Sequence, residues 1–367
     1  MNFIDHKDNI HIWVLAPFLE TEVENLKFYY DYTQSIAEYT KVFEQINCSW
    51  TWVNVTFANI ENVLQQINAQ TTRINIALNL CDGDEVNGAP GITVINTLEK
   101  NKIIYTGADA FFYNITTSKI PMKNAFDRNA VATPLWRVIK NEESLDTIFE
   151  ELGEILIVKP AVSGGSMGIM AKNVVENKTD LLQIVAEIKK GYRGWKLDVD
   201  GIFAEAFISG REFTTFIVGS YNDDKNLIFY NPVERVFHAS LPAKEKFLSF
   251  DRLWETYDNE TAMPNEEYVY NYAAPENELY EAIKKISIDA YKAVAGMGYG
   301  RIDIRQDATT KKIYILEVNA QSGISEDEDY TSIGAILRYS NKTFTNLVIE
   351  IIQDGIDRHQ KKQLQKL

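Results

Sequence analysis

Two strand-like runs joined by a short polar link constrain this chain more than any other feature. They are RIDIRQ at 301–306 and YILEVNAQSG at 314–323. Successive side chains of a strand point to opposite faces, so Arg301, Asp303 and Arg305 share one face and Ile302 and Ile304 the other. In the second run Glu317 and Asn319 share a face, with Leu316 and Val318 opposite. The link DATTKK reads as a hairpin turn, and folding near Thr309 and Thr310 sets Asp303 roughly opposite Glu317. Two carboxylates, an amide oxygen and an arginine then converge. Alternating charge on a strand is most often a solvated face, but carboxylates packed together on one face repel unless a cation offsets them. The patch is an oxygen-ligand set for a hard cation, Mg²⁺ or Mn²⁺, holding a polyphosphate.

A second phosphate-type signal lies at 155–169, ILIVKPAVSGGSMGI. A short apolar run delivers Lys159, followed by a loop carrying Ser163, Gly164, Gly165, Ser166 and Gly168. Glycines let backbone N–H groups approach an anion closely. The lysine precedes the glycines, so this is neither a Walker loop nor GxGxxG. A plain Gly/Ser turn beside a coincidental lysine is the simpler reading taken alone; the metal patch downstream favours the anion. Between these blocks, GIFAEAFISGREFTTFIVG (201–219) reads as strands around a kink at ISG. Glu205 and Glu212 sit in apolar strand-like surroundings, where an unpaired carboxylate is expensive. Salt bridging to Arg211 or another base is the simple alternative for Glu212.

Taken in order, TSKIPMK (117–123), IVKPAVSGGSMG, AEAFISGREF, GYGRIDIRQ and ILEVNAQSGI resemble the ATP-grasp superfamily, and within it the D-alanine–D-alanine ligase family. The blocks run from about 117 to about 352, with FTNLVIEII as a counterpart of the C-terminal helix. ETEVENL (20–26), INIALNL (74–80) and IIYTGAD (103–109) match the N-terminal third more weakly. The resemblance implies an α/β chain with the ATP-grasp fold: a Rossmann-like N-terminal lobe (1–115), a small central α+β lobe (116–200) and a C-terminal antiparallel-sheet lobe (201–367). It also implies roles. Lys119 and Lys159 hold the ATP phosphates, and 163–168, with Ser166, form the phosphate lid. Glu205 with the backbone of Phe207 and Ile208 reads adenine, and Glu212 binds the ribose. Asp303, Glu317 and Asn319 hold the metal, Arg301 stabilises the transferring phosphoryl, Gly323 N–H polarises the substrate carbonyl, and Glu20 takes the first substrate's ammonium. The sequence also departs from the family pattern. The lid lysine of an aromatic-acid-Ala-Lys-aromatic pattern aligns with Leu253 in FLSFDRLWE (247–255), with Arg252 as a possible substitute. The serine for the second substrate's carboxylate becomes Glu328, where a carboxylate would repel it. Ser322 replaces a proline, Gly165 replaces a serine, and the 81–91 loop lacks a His-Gly start.

At 367 residues the chain can build two or three lobes. A net charge of −15 argues against a nucleic-acid partner, and any triphosphate site must be locally basic. No apolar run approaches the roughly 18 residues of a membrane span, and MNFIDHKDNI is too polar for a signal peptide. Two cysteines without metal spacing, Cys48 and Cys81, point to a reducing compartment and core positions. Residues 10–115 alternate strand and helix patterns; a helix is expected over 276–297 and a frayed tail over 359–367.

The expectation is a cytoplasmic, homodimeric ATP- and Mg²⁺-dependent carboxylate–amine ligase acting on amino acids or peptides through an acyl phosphate. The rivals are a carboxylate kinase or hydroxyl-acceptor ligase, and a non-catalytic nucleotide-binding module.

Overall fold

A computed structural model describes residues 1–21, 30–142, 145–264, 267–329 and 331–364. The first sheet contains β1 (Ile10–Pro17), β2 (Ser49–Val55), β3 (Ile74–Asn79) and β4 (Ile104–Tyr105), in the order β2-β1-β3-β4 and parallel throughout. Helices Thr33–Ile46, Ile60–Ala69 and Ile92–Lys100 make the crossovers. All eight residues of β1 are buried, as a parallel strand covered on both faces requires. The order reverses between β1 and β3, so the loops after these strands flank a crevice of the kind where open α/β sheets bind ligands.

The central sheet is antiparallel, with β5 (Trp136–Ile139), β6 (Leu156–Pro160), β7 (Val174–Val175) and β8 (Ile202–Ala206) in the order β5-β8-β6-β7. Helix Lys178–Lys190 covers it, started by Asn177, whose side chain accepts from Asp180 N at 3.0 Å. The expected boundary at 200 falls short of this sheet's last strand, because β8 pairs with β5 and β6 before the chain kinks at 207–209.

The third sheet contains β9 (Gly210–Val218), β10 (Ile228–Phe229), β11 (Val233–Phe237), β12 (Tyr270–Ala273), β13 (Tyr299–Asp307) and β14 (Ile313–Ala320). Its order is β12-β11-β9-β13-β14, all antiparallel, with β10 on β9. The expected hairpin forms at 308–312, where Asp307 Oδ1 accepts from the N–H groups of Thr309 (3.0 Å) and Thr310 (2.6 Å). The apolar alternation then decides the packing. Phe213, Ile217, Ile302, Ile304, Ile315 and Val318 bury one face against Phe112, Phe126 and Tyr291 and against first-lobe residues such as Leu98. On the other face, Phe216, Val218 and Tyr299 pack against Ile12, Ile76 and Leu347. The first and third lobes therefore share two cores. The central lobe has a core of its own, built from Leu156, Val158, Leu181, Ile184 and Ala204.

Two sequence expectations change. The helix expected to 297 is Asn277–Ala293, stopping ahead of Gly296 and Gly298. A Cβ at Gly298 would lie 2.0 Å from Gly107 O, so the chain must turn there without a side chain. The tail is helical through Leu364 rather than frayed, since Lys361 pairs with Asp223 and Lys362 with Glu99 (3.1 Å).

Candidate active site

The strand register brings the expected metal ligands together. Asp303 pairs with Glu317 and Arg301 with Asn319, and an irregularity after Asp303 holds the pairs in place. Asn319 Nδ2 donates to Asp303 Oδ2 (3.0 Å) and Glu317 Oε1 (3.3 Å), so both carboxylates converge on one amide. Arg301 Nη2 donates to Asp303 Oδ2 at 3.0 Å, and Thr214 Oγ1 donates to Oδ1 at 2.8 Å. Burial alone would raise the Asp303 carboxyl, but Arg301, Arg235 and Thr214 outweigh it and hold it below the usual carboxylate range. Lys119 Nζ lies 3.3 Å from Glu317 Oε2 and donates to Ser163 O at 2.8 Å, tying the hairpin to the glycine-rich loop. Among the described residues no group of three or more His, Cys, Asp or Glu side chains forms a metal cage. Two carboxylates and an amide are instead the partial oxygen set of a hard cation whose shell is completed by water and phosphate. The cationic groups now offsetting both carboxylates, and an amide whose NH₂ bridges them where a cation would take its place, fit such an ion.

In the glycine-rich loop, Ser163 Oγ donates to Met167 O (2.7 Å), and Gly165, Ser166 and Gly168 adopt positive φ. Gly168, at φ +74°, holds a left-handed turn that favours glycine, and a Cβ there would also meet Leu197 Cδ1 at 2.4 Å. Gly164 stands in open space.

Lys159 Nζ donates to Glu205 Oε1 (2.6 Å), while the fully buried Lys123 reaches Oε2 at 2.5 Å and donates to Thr133 Oγ1. Lys123 was not singled out in the sequence, although its i, i+4 spacing from Lys119 on helix Lys119–Arg128 puts both on one face. Burial would raise Glu205; the two lysines outweigh it and hold its pKa at about 2. Burial pulls Lys123 down from the usual lysine range, and repulsion from Lys159 adds to this, so that Glu205 offsets the shift only in part. Phe207 N–H is taken by Ile155 O at 2.9 Å, which leaves Ile208 to offer the hinge N–H. Glu212 is not paired with Arg211, which binds Glu234 and Glu276. It is held by Arg235, with Arg305 at 3.7 Å. The register lines up Tyr272, Arg235, Glu212 and Arg305 across four strands. Six cations (Lys119, Lys123, Lys159, Arg235, Arg301, Arg305) thus face four carboxylates (Glu205, Glu212, Asp303, Glu317), a basic island in an acidic chain.

The substrate end is more open. Gly323 is exposed, with no heavy atom within 4 Å of where a Cβ would stand. Gln321 Nε2 donates to Asn79 O and its Oε1 accepts from Ala108 N (2.9 Å), joining the end of β14 to the crevice beside β3. Glu20 is exposed just past β1; the rest of its block, from 22 to 26, lies outside the described residues. Asp82, after β3, keeps solvent-accessible surface yet stands in crowded surroundings, whose desolvation, with Asp84, pushes it up to about 6.

Two expectations about this end need correction. Arg252 is no lid cation: its guanidinium is spent on Glu245 and Glu260 (2.9 Å). Phe247, beside the 207–209 kink, packs edge-on against Phe207 with ring centres 6.0 Å apart. Glu328 is no bare carboxylate, since Arg338 grips it with two bonds of 2.5 and 2.7 Å.

Three lobes, a glycine-rich loop and a carboxylate–amide hairpin between them define an ATP-grasp enzyme. Residues 130–353 match the family described as D-ala D-ala ligase C-terminus. The D-alanine–D-alanine ligase of Geobacillus thermodenitrificans is 29% identical over 287 residues, covering 76% of this chain and 69% of that protein. Its counterpart from a Polaromonas species is 26% identical over 274 residues, 74% and 72% of the two chains. Two solved structures share the fold: the Bacillus anthracis D-alanine–D-alanine ligase complexed with ATP (TM-score 0.66, 19% identity, 96% of this chain and 99% of that one) and the Coxiella burnetii D-alanine–D-alanine ligase (0.65, 16%, 96% and 97%). The chain belongs to the D-alanine–D-alanine ligase family. It is an ATP-dependent, amide-forming carbon–nitrogen ligase that releases ADP, and the kinase and non-catalytic readings are not favoured. No helix among the described residues is long and apolar enough to cross a membrane.

Proposed function

We propose that this ligase joins the carboxylate of an amino acid or peptide to the amine of an amino acid through an acyl phosphate. The carrying observation is the registered set Asp303, Glu317 and Asn319, which faces Lys119 and the glycine-rich loop. These three residues would hold Mg²⁺ or Mn²⁺, which neutralises phosphate charge and aligns the γ-phosphoryl group. Lys119, Lys159 and Arg301 bind the phosphate oxygens, and Arg301 stabilises charge on the group in transfer. Residues 163–168, with Ser166, cover the phosphates, and Lys246 is our candidate for the lid cation. The Ile208 N–H, backed by Glu205 and Phe207, reads the base edge, and Glu212 receives the ribose hydroxyls. The substrate carboxylate attacks the γ-phosphorus and ADP leaves. The amine, having lost a proton, then attacks the acyl carbon, Gly323 N–H holds the oxyanion, and phosphate departs. Water must be kept out, because the acyl phosphate hydrolyses.

Glu20 remains our candidate for the first substrate's ammonium. Because Arg338 already offsets Glu328, the acceptor need not carry an amine in place of a carboxylate. We take a cytoplasmic homodimer as the working unit, which sedimentation of the purified chain would test. The decisive assay screens amino acids and short peptides for ADP and phosphate release. Release must require both an acid and an amine and must vanish on chelation of divalent cations. ADP formation independent of any amine would remove the ligase reading.

A further inference from the structure

Residues 245–260 are built as a rigid clasp. Buried Arg252 donates to Glu245 O, to the Glu245 carboxylate (3.0 Å) and to the Glu260 carboxylate (2.9 Å). Asp251 Oδ2 accepts from Asn259 N (2.6 Å) and Glu260 N (2.9 Å), and Ser249 Oγ donates to Glu260 Oε2 (2.9 Å). The clasp grips the glycine-rich loop and its exit at three points. Ser166 Oγ donates to Leu248 O (2.9 Å), Trp254 Nε1 to Gly165 O (2.9 Å), and Phe250 N to Ile169 O (2.8 Å). Loop and clasp therefore move as one piece.

The foot of that piece on the third sheet is Arg305. Its Nη2 donates to Lys246 O at 2.7 Å, at the root of the clasp, and to Gly210 O at 3.1 Å, where the hinge enters β9. Its Nη1 stands 3.7 Å from Glu212 Oε2, and its guanidinium lies 5.2 Å from the centre of the Phe207 ring. The side chain is almost wholly buried. A planar fork of donors can serve two carbonyls and a carboxylate at once; a lysine ammonium has neither the reach nor the geometry. We infer that Arg305 is a positioning residue for the nucleotide: one guanidinium fastens the clasp over the glycine-rich loop to the hinge and to Glu212. The loop then closes in register with the base and ribose contacts. This rests on the nucleotide site proposed above.

The test compares wild type, Arg305→Lys and Arg305→Met by steady-state ADP release and by hydrogen exchange of 163–168, with and without a non-hydrolysable ATP analogue. Contacts made equally in ground and transition states act on KM. We expect KM for ATP to rise about tenfold in Arg305→Lys and further in Arg305→Met, with kcat within about threefold. The analogue should slow exchange of the loop in wild type, and that protection should fall about tenfold in Arg305→Met. Wild-type KM and protection in Arg305→Met, even with a lowered melting temperature, would overturn the inference. If Arg305→Met does not fold, Arg305→Lys with wild-type values in both assays overturns it equally. A wild-type loop that the analogue leaves unprotected would instead sink the nucleotide site itself.

Discussion

The central lobe and the body formed by the first and third lobes are stabilised differently. The body shares two cores across lobes, so its sheets are locked by packing. The central sheet has a separate core, which takes in Phe250 of the clasp, while helix Lys119–Arg128 packs into the body through Met122 and Phe126; polar links then join the two, Lys123 to Glu205, Lys119 to Ser163 and Arg305 to the clasp. The carboxylates that carry the proposed chemistry stand on the fixed part, and the phosphate loop stands on the separately built part. A lobe attached through hydrogen bonds and ion pairs can open for substrate without unpacking a core.

That contrast predicts a ranking. The largest effect belongs to the body: Glu317→Gln should lower ADP formation on the order of 10³-fold with little change in melting temperature. Normal turnover with normal metal dependence would refute the ligand assignment. Next comes the junction. Lys123→Met leaves the buried Glu205 with Lys159 as its remaining cation, so the loss is that of a charge-assisted contact, roughly 1.5–3 kcal/mol. Denaturant titration should show that loss, accompanied by raised KM for ATP; an unchanged midpoint would mean that the two regions are not pinned there.

The same pin gives a pH signature. Glu205, held at about 2 when folded against an ordinary value of 4.5, contributes stability above pH 4.5 that is lost as pH falls towards 2. The shift corresponds to about 3 kcal/mol, so the stability gap between wild type and Glu205→Gln should be widest near neutrality and close between those pH values. A gap independent of pH would show that Glu205 is not held by charge. The smallest effect lies at the rim, where half-buried Glu328 is paired with Arg338. Glu328→Ser should cost under about 1 kcal/mol of stability and alter acceptor KM by no more than about threefold. A larger shift in acceptor preference would restore Glu328 as a specificity residue.

Period-two alternation in 301–306 and 314–323 was enough to place Asp303 against Glu317, because a short hairpin leaves few registers that bury Ile302, Ile304 and Val318. The glycine-rich loop and the parallel first sheet were likewise legible, since both follow from local chain chemistry. Lys246, the candidate lid cation, lies one residue ahead of the FLSFDRLWE stretch that the family pattern picks out. Lys123 closes TSKIPMK, yet nothing local reveals that its partner is Glu205.

By itself, then, the sequence determined which residues share a face and where the chain must turn, since those depend on backbone periodicity and turn chemistry. Only the tertiary structure decided which charges meet: Arg235 rather than Arg211 for Glu212, Arg338 for Glu328, and Arg305 for the clasp. Long side chains choose partners by burial and by which strands stand beside one another, and neither is fixed until the sheets have packed.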